Sequence, residues 1–109
     1  MKANPVIRHI VMWDVQGESS AVKQKNAEHL KHLFHSLRGL IPGLISLDVG
    51  IDISRIDYAC DVVLFSEFES EKALIEYASH PEHLRVKEEI GNIRIARHQV
   101  DYYFEEEKV

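Results

Sequence analysis

The fold of this protein is decided by a stretch near the start of the chain, Ile7-Arg8-His9-Ile10-Val11-Met12-Trp13-Asp14-Val15. The stretch is rich in β-branched and aromatic residues and is too short for a stable helix, so we predict a strand. Large apolar side chains occupy both alternating sets of its positions. A strand with this pattern is typically buried on both faces, which requires a covering layer on each side of its sheet.

The remaining elements follow from the spacing of apolar residues and from the breaks between them. Steps of three and four predict helices, and steps of two predict strands. Pro42 and Gly43 end the first helix, and Pro81 suits the first turn of a short third helix. The predicted elements are a helix over 22–41, strands over 45–53 and 58–68, a helix beginning at 70, a short helix beginning at 81 and a strand over 93–104.

This order of elements is β-α-β-β-α-β, the split βαβ arrangement of ferredoxin-like α+β domains. Such a domain covers one face of its sheet with helices. Because the strands at 7–15 and 58–68 carry large apolar residues on both sides, the second face must be covered as well. We expect that cover to be a second copy of the chain, so the sequence predicts a homodimer.

The composition is that of a single globular domain over residues 1–109, with 45% hydrophobic and 28% charged residues. A net charge of −5 argues against nucleic-acid binding, which needs a basic surface. Every apolar run is far shorter than the roughly 20 residues that span a bilayer, so we expect no membrane association. The lone cysteine, Cys60, excludes an internal disulfide, and the start of the chain lacks the apolar run of a signal peptide. These features favour a cytoplasmic protein.

Short motifs in a defined order extend along the chain from about residue 6 to 104. They are Ile7-Arg8-His9-Ile10-Val11, Ile41-Pro42-Gly43-Leu44, Val49-Gly50, Asp61-Val62-Val63-Leu64, Phe68-Glu69-Ser70 and Tyr77-Ala78-Ser79-His80-Pro81-Glu82-His83. With these motifs the sequence resembles the stress-responsive dimeric α/β-barrel (Dabb) family and, in part, its polyketide cyclases of the olivetolic acid cyclase type. The resemblance implies a ferredoxin-like monomer whose sheet packs against that of its twin to form a dimeric α/β barrel.

The resemblance also implies candidate catalytic residues. In the cyclases the second histidine of the His-Pro-x-His motif is the general base, and a tyrosine three residues before the motif supports it. These roles would fall on His83 and Tyr77, and the histidine of the first strand would be His9. The cyclases have a further histidine in the third strand, where this chain has Cys60. An imidazole with a pKa near ~6.5 suits proton abstraction at neutral pH.

Structural roles compete with these catalytic ones. His80 could cap or bond the backbone beside Pro81, and His83 could fill a polar gap. His9 lies on the same strand face as Val11 and Trp13, and a buried histidine there would donate to a backbone carbonyl or a carboxylate.

No metal or cofactor site is predicted. His29, His32 and His35 step around the first helix instead of converging on one face, which favours a solvated polar surface over a metal site. The chain has no zinc motif, phosphate-binding loop or dinucleotide fingerprint.

Three classes of function remain open at this level. The first is a stress-responsive homodimer of undefined biochemical activity, and the second is a binding module for a small hydrophobic or aromatic ligand. The third is a small cofactor-free enzyme of polyketide-cyclase type, with His83 as general base and Tyr77 beside it. An enzyme requires a solvent-connected cavity that His83 lines, whereas a purely structural dimer requires none.

Overall fold

The computed structural model of the protein describes residues 5–105, which form a four-stranded antiparallel sheet and three helices. In chain order the elements are β1 (Val6–Val15), α1 (Ser20–His35), β2 (Leu44–Ile51), β3 (Val62–Phe68), α2 (Glu71–Ser79), α3 (Pro81–Ile90) and β4 (Arg94–Phe104). The strands lie in the order β2-β3-β1-β4. The predicted ferredoxin-like α+β fold is therefore confirmed. No helix within residues 5–105 is long and apolar enough to cross a membrane.

The first helix is shorter than its apolar pattern predicts. It ends at His35, and the N–H of Leu37 then bonds to the carbonyl of Phe34, three residues back, as in a tighter 3₁₀ turn. Gly39 follows with a φ of 80°, which no α-helix can accommodate. Leu37 and Ile41 remain buried although they lie beyond the helix. The apolar spacing therefore continues into a turn that packs on the same core.

The third strand begins at Val62, four residues later than predicted. The residues before it form a loop that the buried carboxylate of Asp61 holds in place. This carboxylate accepts hydrogen bonds from the backbone N–H of Val15 and from the guanidinium of Arg55, each at 2.8 Å. Cys60 lies in this loop and not in the strand, so it does not occupy the strand position that the family resemblance assigned to it.

The two faces of the sheet differ in what covers them. The helices pack on one side, which we call the inner face, mainly against β1, β2 and β3. On β1 this face carries His9, whose neighbours in register are Ser66 of β3 and Asp101 of β4. The core between the inner face and the helices is built chiefly from Ile7, Val11, Trp13, Val15, Leu30, Phe34, Leu37, Val49, Leu64, Phe68, Tyr77, Val86 and Ile90.

The opposite side, which we call the outer face, is also rich in apolar residues. In register with one another are Arg8, Glu67 and Tyr102 at one end and Ile10, Phe65 and Val100 further along. The apolar members of the outer face on β1, β3 and β4 are Val6, Ile10, Met12, Val63, Phe65, Ile95, Val100, Tyr102 and Phe104. This is the second apolar face that the sequence of β1 and β3 predicts.

A β-bulge interrupts β4 near its start. Arg97 lies opposite Trp13, but the next pair along the ladder joins Ile95 to Asp14, so Ala96 has no partner and adopts a φ of 51°. The bulge reverses the side-chain alternation of the strand at this point. As a result Arg94 and Arg97 both lie on the inner face, although strict alternation would place them on opposite faces.

Gly43 and Gly39, which both lie between α1 and β2, offer a matched test of how this connection packs on α2. Both have positive φ angles, of 79° and 80°. A Cβ at Gly43 would lie 2.5 Å from the Cβ of Ala73, whereas a Cβ at Gly39 would meet nothing within 4 Å. We expect Gly39→Ala to lower the free energy of unfolding by about 1 kcal/mol. Gly43→Ala should cost about 1–3 kcal/mol more because it overpacks the contact.

Urea unfolding of both variants at one fixed protein concentration would measure this difference. Equal losses would show that backbone strain alone decides the cost and that α2 does not press on Gly43.

Candidate functional site

Three elements bring the predicted site residues together. α2 and α3 are separated by a sharp change of direction at His80, whose extended backbone ends one helix and precedes the other. The Nδ1 of His80 accepts a hydrogen bond from the backbone N–H of Glu82 at 3.0 Å, so His80 caps α3. This is the structural role that competed with a catalytic one. The turn places Tyr77, near the end of α2, beside His83 in the first turn of α3.

Tyr77 lies between the two histidines. Its ring centroid is 4.2 Å from that of His83 and 6.2 Å from that of His9. Phe68 of β3 closes the group, with its ring 5.1 Å from Tyr77 and 6.2 Å from His9. His9, Tyr77 and His83 thus form one continuous aromatic cluster between the inner face of the sheet and the α2–α3 turn.

His83 is held in one protonation form by its surroundings. Its Nδ1 lies 3.2 Å from the carbonyl oxygen of Ala78, and because a carbonyl only accepts, this nitrogen carries the proton. Nε2 therefore keeps its lone pair and can take up a proton. Burial lowers the pKa of the His83 imidazole, and the nearby cations Lys87 and Arg94 lower it further. His83 is consequently neutral at pH 7.

Tyr77 carries the one buried side-chain polar atom within residues 5–105 that has no hydrogen-bond partner, its hydroxyl oxygen. The residue is 4% exposed. Burial raises the pKa of this hydroxyl well above its usual value, and the charges of Arg94 and Arg97 oppose that shift without cancelling it. The hydroxyl is therefore protonated and available to donate.

His9 is paired with a carboxylate that the sequence analysis did not single out. Its Nδ1 lies 2.6 Å from Oδ1 of Asp101, the residue directly opposite it on β4. Oδ2 of Asp101 accepts a hydrogen bond from Gln99 at 3.0 Å, and the guanidinium of Arg97 donates to Gln99 in turn. Arg97, Gln99 and Asp101 could have been found from the sequence, because polar residues recur there at every second position of an otherwise strand-like segment.

A second residue that the sequence analysis missed is Arg94. Its guanidinium lies over the indole of Trp13, 4.8 Å from the ring centroid, and 5.8 Å from the ring of Phe34. Burial lowers the pKa of Arg94, and the neighbouring charge of Arg97 lowers it further. The ring faces stabilise a cation in this position, and no carboxylate among residues 5–105 forms an ion pair with it.

A cleft of 150 Å³ lies next to the cluster, between α2 and the end of β4. Ile7, Leu74 and Ile75 give it apolar walls, and Glu71 and Asp101 each contribute a carboxylate. Tyr77 and His83 are not among the residues that line it, so this cleft is not the His83-lined cavity that the sequence analysis required of an enzyme. Larger clefts share no residue with the cluster: those of 640 and 610 Å³ lie around the start of α1, and one of 300 Å³ lies beside Cys60.

The other candidate residues lie apart from the cluster. His29 and His32 are exposed on α1, while the half-buried His35 lies 3.2 Å from the carboxylate of Asp48. Within residues 5–105 no three His, Cys, Asp or Glu side chains are placed to hold a metal ion. Burial, together with the charges of Asp14 and Asp61, raises the pKa of the Cys60 thiol, so it is not a thiolate at neutral pH.

Solved structures with the same fold come from bacteria and plants. A dimeric protein of unknown function with a ferredoxin-like fold from Bacteroides fragilis superposes with a TM-score of 0.80 at 24% identity, covering 91% of this chain and 96% of its own. The hydroxynitrile lyase of Passiflora edulis superposes with a TM-score of 0.76 at 17% identity, covering 97% of this chain and 99% of its own. At these identities the similarity establishes the fold alone.

The family assignment comes from the sequence. A Dabb family protein of ferredoxin-like fold from Mesorhizobium loti shares 21% identity at a TM-score of 0.65, covering 90% of this chain and 95% of its own. No curated protein matches the chain. Residues 7–104 match the Dabb family, described as the stress responsive A/B barrel domain. The chain therefore belongs to the Dabb family.

Proposed function

We propose that this Dabb protein is a homodimeric, cofactor-free proton-transfer enzyme that acts on a small aromatic or hydrophobic ligand. His83 removes a proton through Nε2, and the hydroxyl of Tyr77 stabilises the negative charge that develops on the ligand. The observation that carries the proposal is the contact between these two side chains. A neutral imidazole with a free lone pair lies against the ring of a buried tyrosine, 4.2 Å between ring centroids, and the hydroxyl of that tyrosine has no hydrogen-bond partner within residues 5–105.

The proposed reaction has a group to accept the proton and a group to stabilise the resulting anion. A general base must be unprotonated before it reacts, and burial keeps His83 in that form at pH 7. An enolate or alkoxide formed on the ligand needs a hydrogen-bond donor, and the Tyr77 hydroxyl is a donor with no other partner. His83 would hold the proton as imidazolium until it returns to the product. His9, paired with Asp101, would border the site as a positioning residue.

Two relationships support an enzyme over an inert dimer. The Passiflora edulis protein of the same fold is named as a hydroxynitrile lyase, so the fold supports catalysis in at least one relative. The partial resemblance to olivetolic acid cyclase-type enzymes assigns the base and its tyrosine to the same two positions, His83 and Tyr77. A cyclase-type reaction, in which proton removal creates a carbon nucleophile, is therefore the specific reaction class that we propose.

A passive carrier is the second candidate. The observation that favours it is the 150 Å³ cleft, which has apolar walls but is not lined by His83 or Tyr77. A ligand held only there would bind without meeting the base.

The location of the protein in the cytoplasm stays a prediction of the sequence.

The proposed dimer would form through the outer face of the sheet. That face carries a continuous set of apolar side chains without helices over it, and solvent contact with such a surface is unfavourable. Relatives from Bacteroides fragilis and Thermobifida fusca with this fold are described as dimeric. A second copy that packs its own outer face on this one would bury both surfaces at once.

Val100→Arg tests the dimer. Val100 is 51% exposed on the outer face, and an arginine there would face its own copy across the interface and repel it. Light scattering at micromolar concentration should give twice the 12.6 kDa chain mass for the wild type and 12.6 kDa for the variant. Leu84→Arg on α3, at a site 48% exposed, is the matched control and should remain dimeric. A wild-type mass of 12.6 kDa would contradict the proposal.

His83→Gln tests the general base. We would follow, by NMR in D₂O, the exchange of the methyl protons of acetophenone, an aryl ketone with a weakly acidic C–H. The wild type should accelerate exchange. The acceleration by the variant should be roughly 10²–10⁴-fold smaller. The rate should rise with pH and level off below the usual histidine pKa of about 6.5, because the pKa of His83 is lowered.

The control for this experiment is His29→Gln, which alters an exposed histidine on α1. It should leave the exchange rate unchanged. Ligand binding without any acceleration of exchange in the wild type would favour the passive carrier instead.

Tyr77→Phe separates a functional hydroxyl from a structural one. Removing a buried hydroxyl that lacks a partner should raise the free energy of unfolding by about 1 kcal/mol or more. The same change should slow proton exchange by roughly 10²-fold or more, since the oxyanion loses its donor. Tyr58→Phe, at a residue 88% exposed, should change neither quantity. A loss of stability in Tyr77→Phe would mean that the hydroxyl has a structural partner.

A further inference from the structure

The cleft between α2 and the end of β4 has walls that suit one small apolar group. Ile7 is buried at its sheet side, and Leu74 packs against the same core. Ile75, on α2, is 72% exposed, so it presents apolar surface that a ligand would cover. The cleft has a volume of 150 Å³, and an apolar cavity of about this size is large enough to hold benzene.

The charged side chains that line this cleft are both carboxylates. Glu71 lies in the first turn of α2, and Asp101 lies on β4 with its side chain 35% exposed. Within residues 5–105 neither forms an ion pair with a lysine or an arginine, and the imidazole of His9 is the basic group that contacts Asp101. Lys72, next to Glu71, is paired with Glu76 at 3.8 Å. The charge of the cleft is therefore complementary to a cation.

Tyr103 adds an aromatic ring to the cleft. It lies opposite Ile7 and is 57% exposed. The next residue, Phe104, already holds a cation on the outer face, because the guanidinium of Arg8 lies 3.5 Å from its ring centroid. Among residues 5–105 no lysine or arginine lies over the ring of Tyr103 in the same way. The face of an exposed tyrosine attracts an ammonium group.

The cleft stays accessible in the proposed dimer. Ile7, Asp101 and Tyr103 alternate in step with His9, so they lie on the inner side of the sheet. The proposed dimer uses the opposite side. The cleft is also separate from the proposed base, because His83 is not among its lining residues.

We propose that this cleft binds a small organic amine. The apolar part of the amine packs against Ile7, Leu74 and Ile75, and its ammonium group faces the carboxylates of Glu71 and Asp101. The inference goes beyond the proposed function and does not rest on it, since it concerns a different cleft and a cationic ligand. Both the shape of the walls and the sign of the charge are needed to select this class of ligand.

The test compares three probes that carry a phenyl ring on a two-carbon arm: phenethylamine, phenethyl alcohol and hydrocinnamate. At pH 7 they are cationic, neutral and anionic. NMR titration of the labelled wild-type protein should shift the amide signals of Leu74, Ile75 and Tyr103. The amine should bind about 5-fold more tightly than the alcohol, and hydrocinnamate should bind least. This preference should shrink in 0.5 M NaCl, about which the Debye length is only a few ångströms.

Variants of the cleft separate charge from shape. Glu71→Gln and Asp101→Asn should each weaken amine binding about 3-fold and leave the affinity for the alcohol unchanged. Asp101→Asn also alters the contact with His9, so Glu71→Gln is the cleaner variant. Glu76→Gln removes the same charge from α2 outside the cleft and should change neither affinity. Ile75→Ala should weaken the amine and the alcohol alike, because both cover that side chain.

The outcomes distinguish this inference from the proposed function. Equal affinities for the amine and the alcohol would overturn it, and equal losses in Glu71→Gln and Glu76→Gln would overturn it as a general charge effect. Amine binding that depends on His83 but not on Glu71 would place the amine at the proposed base and contradict the inference. A preference for the amine that requires Glu71 would support it, even if acetophenone exchange failed and the proposed catalysis were abandoned.

Discussion

The alternation of side chains along β1 is the constraint on which the rest of the structure depends. This strand lies between β3 and β4 and directs Ile7, Val11 and Trp13 into the helix-covered core, where each is at most 4% exposed. A buried apolar side chain of this size contributes roughly 1.5–3 kcal/mol, and a slip of one residue would move the whole set to the other face. The same alternation carries His9 inward, to a position that an apolar residue would otherwise occupy.

The polar cluster lies where the helical layer ends. The helices cover β1, β2 and β3, but most of β4 is exposed, so the inner face changes from a dry core to an open edge near His9. At that boundary lie the desolvated imidazole of His83 and the hydroxyl of Tyr77, which has no hydrogen-bond partner within residues 5–105. Each arrangement costs free energy that the apolar core must offset. The Tyr77 hydroxyl in particular lacks the partner that a buried hydroxyl ordinarily has.

Much of the fold is accessible from local patterns. The order of elements and the two apolar sheet faces were predicted, because alternation and helical spacing report burial directly. The predicted bounds are wrong at the end of α1, which stops at His35, and at the beginning of β3, which starts at Val62. In both places buried residues continue the apolar pattern without continuing the element, since Leu37 packs from a turn and Asp61 holds a loop. Burial and backbone conformation are separate quantities, and spacing measures only the first.

The sequence by itself determined the ferredoxin-like fold, the family and the motif that carries Tyr77 and His83. Only the tertiary structure decided the partners of these residues. Asp101 meets His9 through a strand register that joins the two ends of the chain, and a pairing of that range leaves no local pattern. Arg94 and Arg97 share a face because Ala96 leaves the ladder, which reverses the alternation on which every sequence-based assignment of faces relies.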